Sequence, residues 1–222
     1  MRIGIIGAGQ IGGTLTRRLT QLGHDVHVAN SRDPKTLADL AAETGATAVW
    51  AAEAATDADL VIVSIPQKNV PDLAPEIVSG AKPDAPVIET NNYYPKERDG
   101  RIAELEDGTP ESVWVASQLG LPVDRVFKVF NGIWWKHLLE SGQPAGAEDR
   151  IALPVAGAVG AGKDLVFAVV DSLGFDPVDG GTLDQSWRQQ PGTPVYGKDY
   201  GAAETIGALA DAPRKRPEAF RA

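Results

Sequence analysis

The sequence predicts an α/β protein in which a parallel sheet is covered by helices on both faces and is followed by a small C-terminal α/β cap. The apolar run at residues 3–6 ends in a glycine-rich turn, and an amphipathic helical pattern starts at Ile11. Continuous apolar runs and helical patterns then alternate, as in successive βαβ units. After residue 150 a shorter strand-helix-strand pattern follows. This order is typical of a Rossmann-type, doubly wound sheet with a small appendage.

Composition and charge exclude several classes of function. The 222 residues are 43% hydrophobic and 23% charged, which suits a globular protein with a substantial core. Cysteine is absent, so disulfides, thiolate metal sites and cysteine nucleophiles are excluded. The net charge of -9 argues against nucleic acid or an anionic membrane as the main partner, and the basic run at residues 214–216 is expected to be a solvated tail. Without an apolar leader or a run long enough to span a bilayer, we expect a cytoplasmic protein.

The turn at residues 7–12 reads Gly-Ala-Gly-Gln-Ile-Gly, and each glycine has a physical role. Gly7 permits the tight turn, Gly9 lets a diphosphate approach the backbone without meeting a Cβ, and Gly12 lets the helix lie close to the strand. The first N–H groups of that helix are unpaired and lie at the positive end of its dipole. The context favours a dinucleotide site over a turn with a purely structural role.

The corner after the second predicted strand, residues 25–29, indicates which dinucleotide is preferred. An NAD site usually ends this strand with a carboxylate that accepts hydrogen bonds from the adenine ribose. This chain instead has an amide, a hydroxyl and a guanidinium in Asn30, Ser31 and Arg32, with a further cation in Lys35. Such groups suit a 2′-phosphate, so the sequence predicts NADP.

Asp33 offers the alternative, because its carboxylate is near enough in sequence to bind the ribose of NAD. Pro34 follows it at the position that favours the first residue of a helix. We therefore interpret Asp33 as a helix N-cap, with Arg32 rather than Asp33 facing the nucleotide.

Two later apolar runs bring polar residues to the carboxyl edge of the sheet, where ligands of doubly wound folds bind. Residues 59–65 read as a strand buried on both faces, and residues 85–90 as the next strand. The candidates for ribose and nicotinamide contacts at this edge are Ser64, Ile65, Pro66, Asn91 and Asn92. The alternative is that residues 64–66 only end a strand and that the asparagines only form a turn.

The remaining predicted elements divide the chain in two. Residues 1–130 form the NADP-binding Rossmann domain, and residues 131–222 form the cap that contributes to the substrate site. The other predicted elements are helices at 34–44, 70–78, 110–119 and 163–173, and strands at 46–51, 125–130, 151–155 and 175–178. A weak alanine-rich helix leads to the end of the chain.

Several stretches together resemble the coenzyme F-420-dependent NADP oxidoreductase family. They are residues 2–13, the corner at 30–32, the strand end at 64–66, and the cap stretches 152–157 and 173–179. The first half of this pattern is shared by many Rossmann enzymes, whereas the cap stretches are more specific. The resemblance covers nearly the whole chain.

This resemblance implies an exchange of hydride between NADPH and an 8-hydroxy-5-deazaflavin that stacks over the nicotinamide between the two parts. It places Gly7, Gly9, Gln10, Ile11 and Gly12 at the diphosphate. It places Ser31 and Arg32 at the 2′-phosphate, and Ile65 and Pro66 near the nicotinamide. It also implies that Ile133 and Thr193 pack around the reacting rings.

The second substrate is less defined, because the chain departs from the family around residues 91–94, 134–137 and 187–190. A coenzyme F-420 or flavin-like acceptor is predicted. Its candidate binding residues are Asn131, Ile133, Trp134, Trp135, Trp187, Thr193 and Tyr196. The four aromatic side chains among them equally fit a stacking surface for a tricyclic ring and a core that holds the cap.

No acid–base constellation is evident, and hydride transfer between stacked rings needs proximity and dryness more than a positioned acid. We therefore predict no catalytic residue and no metal. Two alternatives remain. One is an NADP-dependent reductase of a small carbonyl, hydroxy acid or imine, with Lys128 or His137 as proton donor, and the other is a non-catalytic NADP-binding redox sensor. A homodimer formed through the cap is also expected.

Overall fold

A computed structural model describes the backbone of residues 1–222 and every side chain except that of Pro75. Six parallel strands form the main sheet in the order β3-β2-β1-β4-β5-β6. The strands are β1 Arg2–Ile6, β2 Asp25–Ala29, β3 Thr47–Ala48, β4 Leu60–Val63, β5 Val87–Glu89 and β6 Val126–Lys128. The order reverses between β1 and β4, which is the switch point of a Rossmann fold. The predicted fold class is confirmed.

Seven α-helices accompany the strands over the described residues. They are α1 Gln10–Gln21, α2 Ala38–Thr44, α3 Ala103–Glu106, α4 Glu111–Gln118, α5 Trp135–Glu140, α6 Ala161–Ser172 and α7 Ala202–Ala210. The helix α1 buries Leu15 and Leu19 against the sheet and keeps polar residues outside, as the amphipathic pattern predicts. Among the residues that the structure describes, no helix has the length and apolar content required to cross a bilayer.

The helix predicted at residues 70–78 is wrong. Two 3₁₀ segments, Gln67–Asp72 and Pro75–Val78, occupy this region instead. Pro71 and Pro75 explain the difference, because each lacks the backbone N–H that a continuous α-helix needs, and each disfavours the helical conformation of the residue before it. The predicted strands at 85–90 and 125–130 are present but shorter, since their ends turn toward the site.

The cap contains two parallel strands, β7 Ala152–Val155 and β8 Asp176–Asp179, with α6 between them and α7 beside them. It is joined to the main sheet by an antiparallel bridge between Lys128 and Ala156. Arg18 of α1 donates hydrogen bonds of 2.8 Å to the carbonyl oxygens of Leu139 and Leu173. One apolar core runs through both parts. The division at residue 130 therefore stays a prediction about the chain's organisation.

Candidate functional site

The glycines of the first turn differ in what surrounds them. A Cβ on Gly7, whose φ is +109°, would collide with the carbonyl oxygen of Ser64, and one on Gly12 would collide with the carbonyl of Gly7. At Gly9, by contrast, a Cβ would meet nothing within 4 Å. The fold therefore requires glycine at positions 7 and 12, whereas Gly9 borders open space at the N-terminus of α1.

That open space belongs to a cleft of about 390 Å³ at the switch point of the sheet, which we name the nucleotide cleft. It brings together seven of the predicted nucleotide-binding positions with the 3₁₀ segment that follows β4. Those seven residues are Gly7, Gly9, Asn30, Ser31, Ser64, Ile65 and Pro66. Gln10, Ile11 and Gly12 continue the same turn into α1. The cleft has the position and the glycine approach that a dinucleotide requires.

The corner after β2 leaves its cations unpaired, whereas the side chains of Asn30 and Asp33 accept hydrogen bonds from nearby backbone N–H groups. Oδ1 of Asn30 accepts a hydrogen bond of 2.8 Å from the N–H of Arg32, and Oδ1 of Asp33 accepts one of 2.9 Å from the N–H of Lys35. Asp33 is therefore the cap of the 3₁₀ segment Pro34–Leu37. Arg32 and Lys35 are exposed, and their side chains form no hydrogen bond or ion pair with any described residue. This leaves two unpaired cations beside the nucleotide cleft.

A second cleft lies on the other side of the same turn. We name it the aromatic pocket; it has a volume of about 370 Å³ and is open to solvent. Its lining residues include Gln10, Ile11, Asn92, Tyr94, Asn131, Ile133, Trp134, Trp135 and Tyr196. Trp134 is 52% exposed and packs edge-on against Trp135 and His137, with ring centroids 6.4 and 4.9 Å apart. The pocket thus offers aromatic surface directly beside the start of α1.

Amide hydrogen bonds fix the polar end of this pocket. Nδ2 of Asn131 donates to Oδ1 of Asn92 at 3.1 Å and to the carbonyl of Gln189 at 2.7 Å. Nδ2 of Asn92 donates to the carbonyl of Asn131 at 2.8 Å and to the hydroxyl of Tyr196 at 3.3 Å. The Tyr196 hydroxyl is also bonded to that of Tyr94. Burial raises the pKa of both tyrosines above the ordinary value, so both hydroxyls hold their protons at neutral pH.

Backbone conformation and buried hydrogen bonds hold the segments that carry Asn131 and Asn92. Phe130 is buried and has a φ of +63°, a left-handed conformation that costs a bulky residue about 1–3 kcal/mol. It lies two residues beyond β6 and directly precedes Asn131. In the segment that follows β5, the buried Asp99 carboxylate accepts a hydrogen bond of 2.7 Å from the N–H of Tyr94. Arg98 in turn donates to the carbonyl of Asn92 and pairs with Asp99.

Lys128 lies in a buried charge cluster rather than in the aromatic pocket. Its Nζ donates to Oε1 of Glu89 at 3.0 Å and to the carbonyl of Asn91 at 2.8 Å, and it lies 3.7 Å from Oε2 of Glu111. Glu111 also pairs with Arg216 at 2.8 Å. The side chains of Lys128, Glu89 and Glu111 are fully buried. Burial raises the pKa of Glu111 despite the two cations beside it.

This cluster changes two expectations. The basic run at 214–216 is not wholly a solvated tail, because the Arg216 side chain is only 11% exposed and covers the ring of Tyr93. Lys128 is held by interior carboxylates and is not among the residues that line the aromatic pocket. Nδ1 of His137, the other considered proton donor, lies on α5 at 2.6 Å from Oδ2 of Asp199.

Three predicted residues lie apart from the two clefts. Asn91 is 2% exposed, and its side-chain amide has no hydrogen-bond partner among the described residues. Trp187 and Thr193 line a separate groove of about 220 Å³ beside the C-terminal tail. There the guanidinium of Arg214 lies 5.2 Å from the ring centroid of Trp187, and Thr193 Oγ1 donates to the carbonyl of Gln190. The structure therefore does not bring Trp187 together with Trp134.

Sequence reasoning missed Tyr94 and Gln189 as site residues. Tyr94 follows Asn92 at the carboxyl end of β5, so its position at the sheet edge was a usable signal. Gln189 gave no such signal. Its Nε2 donates to carbonyl oxygens of Lys128 and Pro154 at 3.3 and 3.0 Å and to Oδ1 of Asn131 at 3.1 Å, a role that only the folded cap creates.

Comparison with known proteins finds a family match for the first part of the chain, which contains the nucleotide cleft. Residues 2–93 match the model of a family described as NADP oxidoreductase, coenzyme F420-dependent. The resemblance to this family is confirmed over these residues. They include β1 to β5, the glycine turn and the corner after β2, whereas β6, the cap and most of the aromatic pocket lie beyond the match. The F420-dependent NADP oxidoreductase match points to an NADP-dependent oxidoreductase and supports NADP(H) as the nucleotide.

Similar proteins extend the likeness over the whole fold. A hypothetical protein of Sinorhizobium meliloti, SMa0349, is 28% identical with a TM-score of 0.72, covering 90% of this chain and 94% of its own. A candidate F420-dependent NADP reductase of Arthrobacter sp. FB24 is 20% identical with a TM-score of 0.68, covering 84% and 87%. The protein YjhV of Escherichia coli K12 is 43% identical over 66 residues, which are 30% of this chain. The match spans about half, 48%, of that curated relative.

Proposed function

We propose that the protein transfers a hydride between NADPH and a planar ring acceptor of the deazaflavin or flavin class. The observation that carries this proposal is the arrangement of the two clefts. The nucleotide cleft and the aromatic pocket both adjoin one glycine turn, with Gly9 lining the first and Gln10 lining the second. A nucleotide held on that turn would lie next to any molecule in the aromatic pocket.

The nucleotide cleft has the groups that NADPH requires. Gly9 leaves room for a diphosphate, the first N–H groups of α1 are free to bind it, and Arg32 with Lys35 offers unpaired charge for a 2′-phosphate. When bound, NADPH supplies the hydride from its nicotinamide ring. The contribution of the protein is to orient the nucleotide beside the acceptor.

The aromatic pocket suits a flat heterocycle better than a small aliphatic substrate. Trp134, Trp135 and Tyr196 present large ring surfaces, and Ile133 adds an apolar wall. Asn92 and Asn131 hold one another through two hydrogen bonds and give the pocket a fixed polar end. A ring with heteroatoms at one edge would match this division into apolar and polar walls.

The proposal is tested by anaerobic oxidation of NADPH with four acceptors in parallel: oxidised coenzyme F-420, a flavin, a small carbonyl compound and a cyclic imine. Reduction of a ring acceptor in preference to the other two classes is the expected result. Tight binding of NADPH without reduction of any acceptor would favour the redox sensor instead.

Replacement of Arg32 tests the choice of nucleotide. We expect Arg32→Ala to weaken NADPH binding about 10- to 100-fold, since a charge-assisted contact to the 2′-phosphate contributes roughly 1.5–3 kcal/mol. NADH lacks this phosphate, so its affinity should stay nearly constant. Titration of intrinsic fluorescence with each nucleotide measures both affinities. Equal losses for the two nucleotides would remove Arg32 from the 2′-phosphate site.

Replacement of Trp134 tests the ring surface of the aromatic pocket. Trp134→Leu should raise the KM for the ring acceptor about two- to tenfold, because ring stacking contributes roughly 0.5–1.5 kcal/mol, and should leave NADPH affinity unchanged. Trp50→Leu is the matched control, since Trp50 is 54% exposed and lines neither cleft. A KM that responds equally to both changes would contradict the assignment.

A second candidate is the reduction of an imine or a carbonyl compound. The hydroxyl pair of Tyr94 and Tyr196 favours it, because hydride addition to an imine or a carbonyl compound leaves a strongly basic nitrogen or oxygen that needs a proton donor, whereas a reduced ring delocalises its negative charge. The imine reductase of Pseudomonas sp. shares the fold at 16% identity and a TM-score of 0.55, covering 94% of this chain and 60% of its own. The acceptor comparison described above separates this candidate from the first.

A further inference from the structure

The two phenols at the polar end of the aromatic pocket carry two hydroxyl hydrogens, and only one of these is donated to a neighbouring side chain. The hydroxyls of Tyr94 and Tyr196 are bonded to each other, which uses one of their two hydrogens. The oxygen of Tyr196 additionally accepts from Nδ2 of Asn92 at 3.3 Å. Neither hydroxyl forms another hydrogen bond within the part of the chain that the structure describes. One phenolic hydrogen is therefore left for a molecule bound in the pocket.

The position of this hydrogen is fixed from both sides. Tyr94 is held through its N–H by the buried Asp99 carboxylate, and Asn92 is held by Asn131. Both phenols line the pocket together with Gln10 and Ile11 of the glycine turn. A donor held by hydrogen bonds thus lines the same pocket as the turn that is assigned to the nucleotide.

We propose that Tyr196 donates the proton that accompanies hydride transfer and that Tyr94 positions it. This inference rests on the proposed function. Tyr196 is the donor of the pair because its oxygen accepts from Asn92 and is placed to accept from Tyr94 as well. Once the Tyr196 proton has left, the Asn92 amide and the Tyr94 hydroxyl both donate to the phenolate oxygen, and these two hydrogen bonds offset part of the burial that raises the pKa of Tyr196.

Every acceptor class considered takes up one proton along with the hydride, and the phenol pair can supply it inside the pocket. Reduction adds a hydride, with its two electrons, to a carbon or nitrogen of the acceptor, and a proton to a ring nitrogen, an imine nitrogen or a carbonyl oxygen. The reductant is NADPH. The O–H bond of Tyr196 breaks, its electron pair stays on the phenolate oxygen, and a new N–H or O–H bond forms on the acceptor. The phenolate then recovers a proton through the Tyr94 hydroxyl, which takes one from water.

The experiment uses the full chain with NADPH and the acceptor that the unsubstituted protein reduces. Tyr196→Phe should lower kcat about 100-fold or more while the KM and the NADPH affinity change little, since a positioned acid contributes roughly 10²–10⁴-fold. Tyr94→Phe should lower kcat about tenfold, because it removes one of two hydrogen bonds to the phenolate. Added imidazolium should restore part of the rate of Tyr196→Phe, which the loss of a merely structural hydroxyl would not permit.

The control is Tyr200→Phe, which removes a hydroxyl from a ring packed in the cap. A kcat of Tyr196→Phe within about threefold of this control would overturn the proton-donor role. If only the imine or the carbonyl compound is reduced, the ring acceptor is wrong, and the same variants test the donor on that substrate. Reduction of none of the acceptor classes would overturn both the proposed function and the donor.

Discussion

Gly9→Val is expected to abolish NADPH binding while the protein stays folded. The backbone at Gly9 has φ -74°, which any residue adopts, and a Cβ there meets no atom of the protein within 4 Å. The valine would instead occupy space at the start of α1 and block the hydrogen bonds from the helix to the diphosphate. Loss of two charge-assisted hydrogen bonds corresponds to at least about a 100-fold weaker affinity. Nucleotide titration together with a thermal unfolding curve measures both properties.

Gly12→Val provides the contrasting control. Its Cβ would collide with the carbonyl of Gly7, and neither backbone segment is free to move. This variant should lose stability as well as nucleotide binding, whereas Gly9→Val should lose only binding. An NADPH affinity that is unchanged by Gly9→Val would remove the diphosphate from this turn.

Lys128→Met is expected to destabilise the protein by about 3–5 kcal/mol, because it leaves two fully buried carboxylates with one fewer cation. The difference in unfolding free energy between the variant and the unsubstituted protein should become smaller as the pH falls from 7. Burial raises the pKa of Glu111 and the charge of Lys128 opposes this rise, so without Lys128 the folded variant takes up a neutralising proton at a higher pH than the unsubstituted protein does. Urea unfolding of both proteins at several pH values measures this change.

Lys82→Met is the matched control for the buried cluster. Lys82 pairs with Asp59 at the surface, and its side chain is 57% exposed. Such a pair contributes only about 0–1 kcal/mol, so its loss should have little effect. Similar losses for Lys82→Met and Lys128→Met would contradict a structural role for the interior cluster.

The nucleotide-binding half was predictable because its signals are local. The apolar runs predicted β2 at its observed bounds and β1 to within one residue, and the succession of glycines identified the turn. Pro34 after Asp33 correctly indicated a cap, since both effects act within a few residues. The same local reasoning failed at residues 70–78, where two prolines interrupt an otherwise apolar pattern.

The second cleft was only partly predictable, because distant parts of the chain build it. Tyr94 and Tyr196 are 102 positions apart, and the left-handed conformation of Phe130 has no signature in its side chain. Trp187 and Trp134 are the same type of residue but line different grooves. Which groove each one lines depends on the path of the chain through the folded cap. The metal-free chemistry and the identities of the substrate-binding residues stay predictions.

The most direct test of the account is to follow the hydride itself. The protein is mixed anaerobically with oxidised coenzyme F-420 and NADPH that carries deuterium at the transferring position of nicotinamide C4, and the reduced deazaflavin is examined by mass spectrometry. Because a deazaflavin accepts hydride at carbon, the label stays in the product. We expect one deuterium per reduced ring and the same result for Trp50→Leu. Reduced ring without deuterium, or no reduction while NADPH remains bound, would contradict direct transfer between the two clefts.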